Sequence, residues 1–222
     1  MKKNLTIKLF GWTITCLMPF IVIMISIRML ISPAFAQIEY QLPGFPDDPY
    51  GFTLEDRQKW SKPSIKYLVN HEGISYLSAL QFESGEEIFN EGELGHMVDV
   101  KRVVTGMRIA LFSAMLVISG ITLAAIKKGL KTSIVVAYRR GGWGVIGLIL
   151  LILGFVTLNF SKLFTNFHKI FFESGTWQFL TSDTLIRLFP MRFWQDAFIF
   201  VGVISLILGI ATILVSNKLL DS

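Results

Sequence analysis

The sequence predicts an all-α integral membrane protein: four transmembrane helices, a small extracellular cap and an interfacial amphipathic helix. Three observations predict it. Hydrophobic residues make up 52% of the 222 residues and charged residues only 17%, an apolar excess over ordinary soluble domains. The excess is gathered into blocks of bilayer length. The net charge is +5, but basic and acidic residues are segregated along the chain, which signals orientation in a membrane rather than nucleic-acid binding.

The four blocks are residues 9–31, 109–126, 141–160 and 197–217. Each approaches the roughly 20 residues needed to cross a bilayer, and Arg28 is the one charge within them. Backbone in lipid must satisfy its own hydrogen bonds, so each block reads as a helix. The first block has a rival reading. Lys2 and Lys3, the apolar run and Ala34-Phe35-Ala36 have the form of a cleavable signal. The run is about twice the usual signal core of roughly 7–15 residues, so a retained span ended near Pro33 is expected.

Orientation follows from lysine and arginine near the span ends. Lys2, Lys3 and Lys8 precede the first span, and Lys127, Lys128, Lys131, Arg139 and Arg140 surround the link between the second and third. Lys218 follows the fourth. These regions are expected to be cytoplasmic, with both termini inside. Residues 36–108 hold twelve of the sixteen acidic residues and are expected outside, as is the loop of residues 161–196. The chain reads as one membrane domain, 1–222.

Within the outer segments, Gln41 to Asp48 reads as irregular because of Pro43, Gly44 and Pro46. Thr53-x-x-Asp56 has the form of a capping box that starts a helix at Leu54. Pro63 suits the first position of a further helix. Ile74 to Phe82 is ambiguous between strand and helix, and Ser84-Gly85-Glu86 is a turn. No turn signal past Gly95 separates Glu93 from the second span, so that helix is expected to begin near Glu93 and project above the membrane. Ser182 is expected to cap a short amphipathic helix carrying Leu185, Ile186, Leu188 and Phe189, lying in the interface plane. Arg187 and Arg192 can snorkel to headgroups.

The candidate chemistry is histidine chemistry. The chain has three histidines, His71, His96 and His168, all in the outer segments. His96 and His168 flank the second and third spans on the same side. A short link joins those spans, so they are expected to be antiparallel neighbours with close outer ends. Histidine changes protonation near neutral pH and can serve as general base and then acid. His71 reads as a surface side chain. Cys16 lies within the first apolar block, so no outward thiol exists, and no G-x-S-x-G elbow is present. His96, His168 and Asp99 could ligate zinc, but H-E-x-x-H and a Cys pair are absent; the expectation is no metal. No phosphate-binding glycine loop occurs. Asp99, Lys101, Arg102 and Arg108 form either a collar for anionic headgroups or a set in which Asp99 orients a histidine and a cation holds a polar headgroup.

Three strings carry a resemblance. They are Glu93-Leu94-Gly95-His96-Met97-Val98-Asp99-Val100-Lys101; Phe167-His168-Lys169-Ile170-Phe171-Phe172 with Gly175-Thr176-Trp177; and Asp183-Thr184-Leu185-Ile186-Arg187-Leu188-Phe189-Pro190 with Phe193-Trp194. Together they resemble the Lit family of Gram-positive bacteria, the lipoprotein intramolecular transacylases, over nearly the whole chain. The resemblance implies an activity: the sn-2 acyl chain of a diacylglyceryl lipoprotein moves to the α-amino group of its own N-terminal cysteine, giving a lyso-form lipoprotein. It implies a catalytic pair, His96 and His168, with Asp99, Lys101, Arg102, Trp177 and Arg187 binding substrate or supporting the pair. Protonated His96, Lys101 or Arg187 could supply the oxyanion donor. Ester becomes amide, so no cofactor or ATP is expected. The partners implied are diacylglyceryl-modified lipoproteins and membrane lipids, with no nucleic acid. The alternatives are a lipid or lipoprotein deacylase and a non-enzymatic membrane assembly subunit. Transport is disfavoured by the near absence of intramembrane charge.

Overall fold

The computed structural model describes residues 2–221, with side chains described from residue 5 onward. Lys2 and Lys3, read above as flanking the first span, therefore have side chains outside the described part. Among the described residues the structure is helical: α1 (Lys2–Leu30), α2 (Pro33–Glu39), α3 (Leu54–Tyr67), α4 (Ser75–Ser78), α5 (Glu91–Lys127), α6 (Lys131–Phe171), α7 (Thr184–Leu188) and α8 (Met191–Asp221). An isolated antiparallel bridge, Gln81 with Glu87, is the sole β feature among them. Four helices, α1, α5, α6 and α8, are long and apolar enough to cross a membrane.

The chain forms two compact units. The first comprises residues 1–28, 107–157 and 199–222. Its core is aliphatic: Ile14, Met18, Ile21 and Val22 of α1, Ile118 of α5, and Val145 and Ile149 of α6. The opposite faces remain apolar and exposed, among them Ile109, Phe112, Leu116, Leu151, Phe155, Ile207 and Leu214. Apolar residues all round a helix are what a lipid-facing bundle requires. In lipid the apolar faces gain little from meeting one another, so close approach and polar links hold helices together. Both are present. A Cβ at Gly142 of α6 would stand 2.8 Å from Ile213 Cγ1 and 3.0 Å from the Gly209 carbonyl oxygen of α8. Buried Ser205 Oγ of α8 bonds Ser26 Oγ of α1 at 2.9 Å. Thr15 donates to the Ala137 carbonyl at 3.1 Å, and Thr122 and Tyr138 hydroxyls meet at 2.8 Å.

The second unit comprises residues 29–106 and 158–198. One cluster gathers Trp60, Tyr67, Leu77, Ile88, Phe89, Met97, Leu185 and Leu188; another holds Ala36, Tyr40, Ile65 and Phe193. Tyr40 Oη donates to the Leu188 carbonyl at 3.0 Å, across 148 residues. Thr53 and Asp56 form the expected capping box of α3, with Thr53 N to Asp56 Oδ2 at 2.9 Å and Asp56 N to Thr53 Oγ1 at 3.1 Å. Gly85, with φ +87°, makes the expected turn.

Three local expectations are corrected, and one left open is settled. Pro63 does not open a new helix but lies inside α3. The buried face of Trp60, Ile65 and Tyr67 carries the helix through the amide that proline lacks. The region from Ile74 resolves into the single turn α4 followed by the bridge. Residues 161–171 are not loop: α6 resumes after a break at Asn159, whose φ −160° and ψ 79° are non-helical. Asn159 Oδ1 accepts the Lys162 amide at 3.0 Å and so caps the resumed turns. The N-cap of α7 is Asp183, not Ser182, and its carboxylate turns back to the Leu180 amide at 2.8 Å. The apolar residues of α7, Leu185 and Leu188, are buried in the unit's core.

Candidate active site

Both candidate histidines belong to the second unit. His96 sits in the second turn of α5, whose first turn is locked by a reciprocal cap. Glu93 Oε2 accepts the Asn90 amide at 2.9 Å, and Asn90 Oδ1 accepts the Glu93 amide at 3.0 Å. Glu93 Oε1 also accepts the Leu185 amide at 2.6 Å. One fully buried carboxylate thus closes the start of α5 and satisfies an open first-turn amide of α7. Thr184 Oγ1 donates to the Ile88 carbonyl at 2.6 Å beside it. The sequence marks Glu93 as a helix start and as the head of the first family string. The Asn90-x-x-Glu93 spacing signals the cap, but nothing local signals a partner 92 residues away.

His168 lies in the resumed part of α6 and is 8% exposed. Its Nδ1 is 2.9 Å from the Phe164 carbonyl oxygen. A carbonyl only accepts, so Nδ1 carries the proton and Nε2 keeps the lone pair. The two imidazole rings face each other with centroids 6.2 Å apart and planes 25° from parallel. They are close, as the antiparallel arrangement of their spans led us to expect. Aromatic rings enclose them. Phe172 and Phe179 stand edge-on to His96 at 4.9 and 5.5 Å. Phe164 lies 4.1 Å and Trp177 4.8 Å from the His168 ring.

Within this aromatic box two polar atoms are buried without a hydrogen-bond partner: His96 Nδ1 and Trp177 Nε1. An unpaired buried donor or acceptor costs about 1–3 kcal/mol. Such groups are uncommon in folded proteins and call for an explanation.

The other candidates are placed as follows. Asp99 pairs with Arg102 at 2.9 Å, with the arginine side chain 76% exposed. Lys101 Nζ donates to Asn70 Oδ1 at 3.0 Å and the Glu72 carbonyl at 2.6 Å, and lies 4.0 Å above the Tyr67 ring. Arg187 forks onto Asp48 Oδ2 through Nε and Nη2, at 3.0 and 2.9 Å, and covers the Phe52 ring at 3.4 Å. Burial pushes the Asp48 carboxyl up, but the hydrogen bonds from Arg187 and the Phe52 amide and the Arg187 charge outweigh it, holding Asp48 below the usual carboxylate range. Lys101 and Arg187, two of the three oxyanion donors considered from the sequence, are thus engaged by partners of their own. His71 is exposed. Among the described residues no group of three or more His, Cys, Asp or Glu side chains is placed to hold a metal ion.

Two apposed imidazoles thus lie in an aromatic box, in a chain with four helices long and apolar enough to span a bilayer. The lipoprotein intramolecular transacylase Lit family model matches residues 12–194, and the chain belongs to this family of transacylases. An uncharacterised protein of Aquifex aeolicus (strain VF5) is 33% identical over 204 residues, covering 91% of each chain. The fold is shared with in meso structures of the membrane integral lipoprotein intramolecular transacylase Lit from Bacillus cereus. One superposes with a TM-score of 0.83 at 18% identity, covering 98% of this chain and 97% of that one. A histidine-to-arginine variant of the same protein gives 0.78 at 17% identity, covering 99% and 94%. A histidine-to-alanine variant gives 0.78 at 19%, covering 99% and 96%.

Proposed function

We propose that the protein moves the sn-2 acyl chain of a diacylglyceryl lipoprotein to the α-amino group of the same lipoprotein's N-terminal cysteine, using His96 and His168 as general acid and base. The observation that carries the reading is the pair itself: two apposed imidazoles, one with its tautomer set by the Phe164 carbonyl. The chain acts as one membrane domain, 1–222, in the plasma membrane. Both termini are cytoplasmic and the site is at the outer leaflet, an orientation supported by the basic residues around the inner span ends.

The step balances without a cofactor. The α-amine, with an ordinary pKa of roughly 7.7–8.0, attacks the ester carbonyl carbon in its neutral form. A C–N bond forms and the carbonyl oxygen takes up the negative charge. His168 Nε2 accepts the proton released from nitrogen. On collapse the carbonyl re-forms, the bond to the sn-2 oxygen breaks, and His168 or the facing His96 delivers a proton to that oxygen. Amine and ester belong to one molecule, so holding them together supplies much of the rate. Asp99, Lys101, Arg102, Trp177 and Arg187 bind substrate or hold the pair's surroundings in place.

The test is substitution of the pair. Each of His96→Ala and His168→Ala is expected to lower conversion of a synthetic diacylglyceryl-cysteine lipopeptide by on the order of 10²-fold or more. The double variant should be little worse than either single one, because groups acting as a unit do not add. His71→Ala should retain full activity. Near-normal conversion by both single variants would overturn the assignment.

A further inference from the structure

We propose that the indole N–H of Trp177 is the hydrogen-bond donor to the carbonyl oxygen of the migrating acyl group, and holds the oxyanion as the amine attacks. The inference rests on the transacylase reading and adds the group that reading lacks.

Indole Nε1 is a donor and never an acceptor, so its missing partner must be an acceptor. The atom is buried and has no partner among the described residues. Its ring leans on the His168 imidazole, centroids 4.8 Å apart and planes 35° from parallel, so the donor belongs to the residue in contact with the proposed base. The rings of Phe164 and Phe172 pack on His168, and those of Phe172 and Phe179 on His96. They suit acyl chains and supply no competing oxygen. The substrate's ester carbonyl is the acceptor that must come within reach of His168 for the reaction to occur.

Two of the three donors considered from the sequence are already occupied. Lys101 is held by Asn70, Glu72 and Tyr67, and Arg187 by Asp48 and Phe52. A neutral donor also fits a lipid-facing site, where a preorganised N–H needs no counterion and reorganises little as charge develops. The accounting balances: Trp177 loses no proton and forms no covalent bond. It pairs with the oxygen when the C–N bond forms and releases it when the sn-2 C–O bond breaks.

The decisive variant carries 3-benzothienyl-alanine at position 177, installed by stop-codon suppression. This side chain keeps the bicyclic shape and the stack on His168 and replaces N–H with sulfur. Trp177→Phe is the second variant. Each is assayed on the same lipopeptide with the full-length protein in lipid, and each must first match the wild-type melting midpoint. The expected result for the isostere is a fall in kcat on the order of 10²-fold, with KM roughly unchanged, because the donor acts on charge that appears after binding. Wild-type kcat in the isostere would overturn the proposal, and so would a rise in KM alone. A wild-type protein without transacylase activity is a separate result, and it would remove the reading on which the proposal stands. Should the isostere fail to match the wild-type melting midpoint, the Trp177→Phe kcat decides by the same criteria.

Discussion

The two compact units treat their polar groups in opposite ways. In the helical bundle they are paired: Ser26 with Ser205, Thr122 with Tyr138, Thr15 with the Ala137 carbonyl. In the second unit, four side-chain atoms are buried with no partner: Glu39 Oε1, Arg57 Nε, His96 Nδ1 and Trp177 Nε1. The bundle follows the rule for structure in lipid, where an unpaired polar atom has no water to turn to. The second unit leaves hydrogen-bonding capacity unspent, and half of it points to one aromatic box. Folding gains nothing from an orphaned N–H, so its persistence beside an imidazole is best explained by a ligand.

The comparison can be broken first at Glu93, the carboxylate that ties the start of α5 to α7. Glu93→Ala strands the amides of Asn90 and Leu185. The expected cost is about 2–5 kcal/mol of stability from the loss of a buried charge-assisted acceptor, with activity lost alongside because His96 is one turn away. Thermal unfolding in detergent and the lipopeptide assay measure the two together. Glu93→Gln keeps one acceptor and should recover part of both.

A smaller effect is expected in the bundle, of a different kind. Gly142→Ala places a methyl carbon 2.8 Å from Ile213 Cγ1 and 3.0 Å from a backbone oxygen. Overpacking of this type costs about 1–3 kcal/mol. Turnover per folded molecule should stay unchanged, since the bundle carries none of the proposed chemistry. A variant that folds normally but loses turnover would show that the division of labour is wrong.

The smallest effect concerns Glu39. Burial first, and a hydrogen bond with Asp196 second, raise its carboxyl to about 7. A raised folded-state pKa means that the folded protein favours the protonated acid. The stability it contributes is fully present below the unfolded value of about 4.5 and is lost as pH rises towards 7. Glu39→Gln should therefore melt higher than wild type at pH 8. The difference should shrink as pH falls through 7 towards 5. A difference that grows on acidification would reverse the sign and remove the account of this carboxyl.

Much of the fold was legible because hydropathy reports membrane spans directly. The four blocks need only composition and length, and His96 and His168 were placed together by the short link between two of them. The Asn159 break was not legible. One residue leaving helical geometry changes no hydropathy pattern, so residues 161–171 read as loop. Pro63 was misplaced because its usual position at a helix start outweighed a buried face that depends on tertiary packing. The partners of Glu93 and Arg187 lie 92 and 139 residues away. No local pattern encodes such distances, so Arg187 read as a free cation although it is paired with Asp48. For Trp177 the resemblance implied only a binding or supporting place, since a missing hydrogen bond exists only in three dimensions.

The central claim is that the acyl chain moves within one lipoprotein molecule. It is tested by mixing two diacylglyceryl-cysteine lipopeptides, one with both acyl chain and peptide isotopically heavy and one with both light. Fragment-ion mass spectrometry then reads which acyl group sits on which α-amine. The account predicts N-acylated lyso products that are all-heavy or all-light, with no free fatty acid. Crossed pairs would contradict intramolecular transfer, and free fatty acid with an unmodified amine would replace the transacylase by a deacylase.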